Sequence, residues 1–543
     1  MGNSDASQHW ADQLAQRILA RAEAEAAGAK PQANVKCQQT PSGGKHIGNL
    51  NDVIRAWFPC KAARELGLSV SFVHTTDDRD PLKDVPKRLP ALDGSWSESA
   101  KLMDLKPFLG KPLVSVPDPF GCCKSWAAHF TQVWMEGVRA LGMKPELHSV
   151  DQLYRDGEFE PYIRMIFENL EEAQRIVGEL QESKGDGYIP FDAICGECGV
   201  LANVDKVDIA KKSVHFVCGG KSIKKKKSGG CGNEAWQPWS EGKLQWRFEW
   251  PSLMAMFNTT YEPFGKDHAE GSWKSVLAVF ERIFKKEPPI PYVYEFFLVN
   301  GQKMSASVGN VYIVQDLLEL VEPEVFSYFY TKRPGKQRDL DLAAIQLLVE
   351  DFEHAERVYF GAEQDRDAAQ IKRSYELAVP AVPAQLPFRI PYLFASMIAQ
   401  LGLSEAATLE LLQRTGHLKA GPTAAQREAI LKRVRLAGNW AKQWAPDQYR
   451  FRLQESVLDV IKQKLLPAQR NAVREFAGQL KPGMTEEQLT QLAFDVAKEH
   501  AIPPAGFFQA CYWLLLARAS GPRLSHVILA AGAERAKALL EQA

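Results

Sequence analysis

Apolar residues recur at helical spacing near the start of the chain. Trp10, Leu14, Ile18 and Leu19, set in an Ala-rich stretch, predict an amphipathic helix over about residues 5–27. A short segment, residues 34–40, then runs into the Gly-rich stretch Pro41-Ser-Gly-Gly-Lys-His-Ile-Gly-Asn49. Helical periodicity returns with Leu50, Val53, Ile54, Trp57 and Ala63, and residues 68–74 form a β-branched, aromatic run that predicts a strand. Strand, Gly-rich turn, helix, strand is the opening of an α/β unit of the nucleotide-binding kind. Residues 150–185 carry a helical pattern, and 186–245 has no clear period. Residues 291–300 predict a buried strand, and from about 312 the Ala, Leu, Gln, Glu and Lys-rich pattern predicts helices to the end. No repeat of fixed period is present.

Length and composition narrow the class. A chain of 543 residues suggests three or four domains, with 45% hydrophobic and 24% charged residues, as in ordinary globular proteins. No apolar run approaches the 18 or so residues of a membrane span, and the N-terminus lacks the pattern of a secretory signal. Nine cysteines, four of them in one cluster, fit a reduced, cytoplasmic enzyme rather than a disulfide framework. Lys plus Arg and Asp plus Glu are both 66, a balance that taken alone argues against nucleic acid. Its distribution argues the other way. Residues 381–543 hold 20 basic and 13 acidic residues, and 427–474 hold 11 and 4, a stripe suited to a polyanionic backbone.

Two loops carry candidate chemistry. In Thr40-Pro-Ser-Gly-Gly-Lys-His-Ile-Gly-Asn49, a Gly-rich turn opens a helix whose free N–H groups and dipole suit a phosphate. His46 is placed to hydrogen-bond phosphate oxygens, and Gly48 lets a flat group approach the backbone. In Gly301-Gln-Lys-Met-Ser-Ala-Ser-Val-Gly-Asn310, a lysine flanked by serine hydroxyls can follow charge as it moves during phosphoryl transfer. Either loop alone is also consistent with an ordinary turn. Cys195-x₂-Cys198 followed by Cys218-x₁₂-Cys231 has the donor set of a four-thiolate zinc site, with free thiols as the alternative. The intervening Lys-rich run 221–227 is most simply a solvated loop, or else a contact for a polyanion.

In this order and about 250 residues apart, the two loops resemble the paired ATP signatures of class I aminoacyl-tRNA synthetases. The resemblance sharpens to the class I lysyl-tRNA synthetases and spans nearly the whole chain. It is carried by His9-Trp-Ala-Asp12, Asp77-Asp-Arg-Asp80, Pro117-Asp-Pro-Phe-Gly121, Lys243-Leu-Gln-Trp-Arg247, Gly265-Lys-Asp-His268, Tyr292-Val-Tyr-Glu-Phe296 and Leu386-Pro-Phe-Arg389. It implies a Rossmann-like α/β catalytic domain with a zinc-binding insertion, followed by an all-α tRNA-binding domain. The expected divisions are 1–150 and 246–311 for the catalytic halves, 151–245 for the insertion, 312–380 for a helical connection and 381–543 for the anticodon-binding helices.

The same resemblance implies ATP-dependent activation of lysine to lysyl-adenylate and transfer to the 2′-hydroxyl of the terminal adenosine of tRNA(Lys). His46, Asn49, Lys303, Ser305 and Ser307 are the implied catalytic residues. Pro41, Ser42, His46, Gly48, Asn49, Gly265, Asp267 and Lys303 are implied to bind ATP, with Mg²⁺ sharing the phosphate charge. Thr40, Trp246, His268, Tyr292 and Tyr294 are implied to bind lysine, whose apolar stem and ammonium suit aromatic walls. Glu295, Asp77 and Asp78 are unranked acceptors for the ammonium. Cys195, Cys198, Cys218 and Cys231 are the implied structural Zn²⁺ ligands. A monomer is the favoured state. The family pattern is broken at Gln38, where many members carry Gly, and at Ala306 in the second loop. Cys122-Cys123 is also unusual. Two alternatives therefore stay open: a class I paralogue serving a different amino acid or acceptor, and an inactive tRNA-binding paralogue.

Overall fold

The computed structural model describes residues 8–180, 187–220, 222–223, 226–227, 229–305, 310–332, 334–419 and 421–543. The chain divides into two compact units. The first comprises residues 1–317, 326–340 and 364–382, and the second residues 318–325, 341–363 and 383–543.

The first unit opens with helix α1 (Trp10–Glu25), whose start is capped by the His9 side chain accepting from the Ala11 N–H. Its buried face, with Leu14 and Ile18 among alanines, follows the predicted period. Strand β1 (Gln32–Gln39) leads through the Gly-rich loop into α2 (Leu50–Glu65) and β2 (Ser69–Thr76). Pro59 inside α2 cannot donate to the Arg55 carbonyl one turn back. The buried Tyr261 hydroxyl donates to that carbonyl instead, at 3.0 Å.

Three further strands complete the sheet: β3 (Glu146–Ser149), β4 (Tyr261–Gly265) and β5 (Ile290–Tyr294). The order is β5-β4-β1-β2-β3 and every pairing is parallel. Val35 at the centre of β1 sits opposite Phe72 of β2 and Tyr261 of β4. Strand order therefore reverses between β1 and β4, and ligands of such sheets bind where the carboxyl ends diverge.

Residues 186–245 hold more order than their pattern predicts. Five short strands form an antiparallel sheet in the order Glu234–Pro238, Ser213–Val217, Leu201–Asp208, Phe191–Ile194 and Gly242–Leu244. The predicted strand at 291–300 is two strands of two sheets. Ile290–Tyr294 is β5, whereas Phe297–Val299 pairs with Gln302–Lys303 and Arg338–Leu340. That last strand interrupts the stretch predicted to be wholly helical.

The second unit is helical through residues 392–540. Its long helix Ala424–Gln443 begins with a reciprocal cap between Thr423 and Gln426. Buried Arg433 on that helix donates to Glu322 at 2.8 Å, to Glu353 and to the Ile390 carbonyl at 3.0 Å. Trp440, also buried, donates to the Leu342 carbonyl. Among the described residues, no helix is long and apolar enough to cross a membrane.

Candidate functional site

The loop after β1 is shaped by close approaches. Gly43 has φ +129°, a conformation that side chains rarely adopt, and a Cβ on Gly44 would lie 2.8 Å from the Pro90 ring. Trp126 anchors the loop by donating to the Pro41 carbonyl, and the Ile47 N–H donates to the Tyr312 carbonyl. Gly48 makes room for the neighbouring imidazole: a Cβ there would stand 2.8 Å from His46 Nδ1 and 3.3 Å from the Met304 methyl. Burial, aided by Lys45, lowers the His46 pKa to about 4, so the ring is neutral at physiological pH and acts as a hydrogen-bonding group rather than a cation.

Two cavities meet at this loop. The smaller, about 230 Å³, is lined by Ser42, His46, Arg88 and Ser305. The larger, about 600 Å³, is lined by Thr40, Trp246, Trp250 and His268 together with several acidic residues. Lys45 and Asn49 line both. The Lys45 ammonium lies 3.3 Å from the Ser42 hydroxyl. Burial lowers its pKa to about 8, against the pull of Asp77 and Asp52.

The aromatic wall of the larger cavity is built by local packing. Trp246 and Trp250, one helical turn apart, stack with centroids 5.2 Å apart, and His268 packs at 5.3 Å from Trp250. Burial lowers the His268 pKa. At the end of β4, the Asp267 carboxylate curls back over Gly265, where a Cβ would be 2.6 Å from its oxygen. The Tyr294 hydroxyl donates to Asp52, whose carboxyl burial pushes up to about 7. Tyr292 lies elsewhere: its ring stacks on Trp10, 5.6 Å away, and it is not among the described residues lining either cavity.

At the described ends of the second loop, the Asn310 side chain accepts from the Ser305 N–H and donates to the Lys303 carbonyl. The Lys303 ammonium rests 3.8 Å from the Phe296 ring centroid. Ala306 and Ser307 lie outside the described residues.

The four cysteines of the insertion converge, with all sulfurs within 4.8 Å of one another. Cys195 to Cys231 and Cys198 to Cys218 are both 3.6 Å. That spacing is far too long for a disulfide and close to the edge of about 3.8 Å expected for a ZnS₄ tetrahedron. Burial opposes ionisation of Cys195, but the N–H groups of Cys198 and Glu197 point at its sulfur and bring the thiol down to about 7.

A second cluster joins Asp118, Cys122, Cys123 and His129, again with ligand atoms within 4.8 Å. His129 Nε2 lies 3.0 Å from the Pro90 carbonyl, so its proton belongs there and Nδ1 is left facing Cys122 Sγ at 3.3 Å. The sequence signal was the spacing Asp-x₃-Cys-Cys-x₅-His, which brings its donors together only if the chain turns into a helix between them. Ser125 caps that helix, Trp126–Ala140.

In the second unit, a groove of about 750 Å³ is lined by Arg435, Lys442, Arg450 and Phe451. Arg433, which belongs to the basic count of 427–474, is buried and spent on glutamates.

A family model described as tRNA synthetases class I (K) matches residues 8–381. The chain is 36% identical over 539 residues to a lysine–tRNA ligase of Natronomonas pharaonis, covering 98% of this chain and 96% of that protein. It is 33% identical over 537 residues to a lysine–tRNA ligase of Thermococcus kodakarensis, covering 95% and 96%. A Methanocaldococcus jannaschii lysine–tRNA ligase is 28% identical over 548 residues, with 96% and 98% covered.

Proposed function

The chain belongs to the class I tRNA synthetases of the (K) type, and from that premise we propose that it is a lysine–tRNA ligase. The observation that carries the site reading is the junction of two cavities at Lys45 and Asn49. One cavity is aromatic and acidic, as a cationic amino acid requires. The other is lined by N–H groups, hydroxyls and cations, as a phosphate chain requires.

In the first step, the lysine carboxylate attacks the α-phosphorus of ATP. A new P–O bond forms, the α–β bridge breaks, and pyrophosphate leaves with the electron pair. In the second, a ribose hydroxyl of the tRNA terminal adenosine attacks the adenylate carbonyl and AMP departs. Catalysis is positioning plus stabilisation of charge on the pentavalent phosphate. ATP enters as its magnesium complex, since the described lining of the small cavity offers hydroxyls and cations but no carboxylate for the ion. Neutral His46 and Asn49 hydrogen-bond the phosphates. Lys303 leaves the Phe296 face to follow the β- and γ-phosphates, with Ser305 beside it and Ser307 as the further hydroxyl. Pro41 and Ser42 shape the loop around them, Gly48 admits the His46 ring, and Gly265 and Asp267 take the ribose. Thr40, Trp246 and His268 bind the amino acid, with Tyr294 acting through Asp52. Tyr292 stacks on Trp10, outside the described lining of either cavity.

The four-thiolate cluster fits a structural Zn²⁺, because all four positions are protein sulfurs and none is left for water. Cys195, Cys198, Cys218 and Cys231 would hold such an ion between the turns of the antiparallel insertion sheet. The basic groove of the helical unit fits the backbone of tRNA(Lys). Nine unbridged cysteines accord with a reducing cytosol.

ATP–pyrophosphate exchange with each of the twenty amino acids tests the reading. Lysine-dependent exchange is expected, and exchange dependent on another amino acid, or on none, overturns it.

A further inference from the structure

We propose that Lys45 is a catalytic residue of the adenylation step, its ammonium donating to a non-bridging oxygen of the ATP α-phosphate. The proposal rests on the lysine–tRNA ligase reading and adds to it a cation at the reacting phosphorus. The reaction joins groups held in different cavities, the carboxylate of the amino acid and the phosphate chain of ATP. The α-phosphorus therefore stands where the cavities meet. Lys45 and Asn49 line both, and of the two only Lys45 carries charge.

The surroundings of Lys45 leave that charge for a ligand. Its ammonium meets the Ser42 hydroxyl at 3.3 Å, a neutral partner, and it forms no ion pair among the described residues. The carboxylates of the larger cavity have other partners. Asp80 is held by Lys243 and, at 2.9 Å, by Lys83. Asp52 takes the Tyr294 hydroxyl, Asp77 the Thr40 hydroxyl at 3.3 Å, and Glu262 the Lys36 ammonium at 3.1 Å. A half-buried ammonium with no carboxylate beside it is costly until an anion arrives, and a phosphoryl oxygen supplies both the charge and the acceptor.

The backbone fixes where the ammonium reaches. Lys45 follows Gly43 and Gly44, which pack against Pro86 and Pro90, and it precedes the helical start at Ile47–Asn49. Two other cations stand nearby, and neither lines both cavities. Arg88 lines only the smaller one, its guanidinium 5.3 Å from the Trp96 ring centroid. Lys303, the one cation in the sequence of the second loop, rests on Phe296 and serves the β- and γ-phosphates.

As the lysine carboxylate bonds to the α-phosphorus and the bridge to the β-phosphate breaks, negative charge gathers on the equatorial oxygens. Lys45 donates an N–H to one of them and keeps its proton, while pyrophosphate leaves with the bridge electron pair. The same positive charge reduces repulsion between the incoming carboxylate and the phosphate. Because the contact strengthens as the new bond forms, its loss falls on turnover more than on either Michaelis constant.

The test is lysine-dependent ATP–pyrophosphate exchange by the full chain and its Lys45→Met variant, which keeps the apolar stem. Turnover is expected to fall about 100-fold, with the Michaelis constants for lysine and ATP each changing less than about threefold. The two α-thio diastereomers of ATP, which place sulfur on one or the other non-bridging α-oxygen, give a readout that a merely structural lysine would not move. The unaltered protein should favour one diastereomer, and Lys45→Met should narrow that preference about tenfold. Lys45→Gln provides a second neutral variant with the same expectations should Lys45→Met not fold. A turnover within about threefold of the unaltered protein, a loss confined to a Michaelis constant, or an unchanged diastereomer preference overturns the proposal. Absence of lysine-dependent exchange in the unaltered protein overturns the ligase reading instead.

Discussion

The Lys36 ammonium lies 3.1 Å from Glu262 Oε1, with both side chains buried and Glu262 lining the larger cavity. Neither ion is stable there without the other. Lys36→Met, which strands the Glu262 carboxylate, is expected to lower unfolding free energy by about 3–5 kcal/mol in urea melts. Adding Glu262→Gln should restore much of the loss. A single variant as stable as the unaltered protein contradicts the pairing.

Asp77 gives the protein a pH signature. Burial, reinforced by Asp80 and Glu249 against Lys243 and Lys36, raises its carboxyl from the ordinary range to about 7. The native state therefore holds a proton that the unfolded chain releases between about pH 4 and 7. The group's contribution to stability falls as pH rises through that window. A lysine ammonium seated beside it would meet the ionised form, so the Michaelis constant for lysine should rise about tenfold per unit as pH drops below 7, while that for ATP does not follow. The thermal shift produced by lysine should be larger at pH 8 than at pH 6, and equal shifts contradict the account.

His46 and Lys303 are expected to fail in different ways. With its pKa held to about 4 by burial and Lys45, His46 contributes no titration near pH 6.5 to the exchange profile. His46→Ala should cost about 100-fold in turnover, the scale of one lost transition-state donor. Lys303→Ala should reduce turnover far more than it weakens ATP binding, with partial rescue by Lys303→Arg. A defect confined to ATP affinity refutes the role given to Lys303.

Metal analysis of the purified protein tests the cysteine cluster. Cys198→Ser is expected to remove one equivalent of zinc and to open the antiparallel insertion to protease, leaving the helical unit intact. Unchanged zinc content contradicts a four-thiolate site.

Much of the first unit was legible because its signals repeat across levels. The apolar period of α1, the Gly-rich turn before Leu50 and the β-branched run into Thr76 all agree with one parallel sheet. The insertion sheet was not legible, since four of its five strands have five residues or fewer and the eight-residue one, Leu201–Asp208, shows no strict alternation. Among the expected site residues, Thr40, Trp246 and His268 come together on one cavity, whereas Tyr292 stacks on Trp10. The basic stripe overcounts for a related reason: charge counts do not distinguish a surface arginine from Arg433, which is buried among glutamates. Which oxygens of Asp77, Asp78 and Glu295 already have partners is information that sequence spacing does not hold.

Charging of an unmodified tRNA(Lys) transcript with radiolabelled lysine by the full chain tests the ligase reading most directly. ATP-dependent, acid-precipitable lysyl-tRNA is expected, formed with lysine and not with arginine or glutamate. Lysine-dependent pyrophosphate exchange without charging, or charging with a different amino acid, would contradict it.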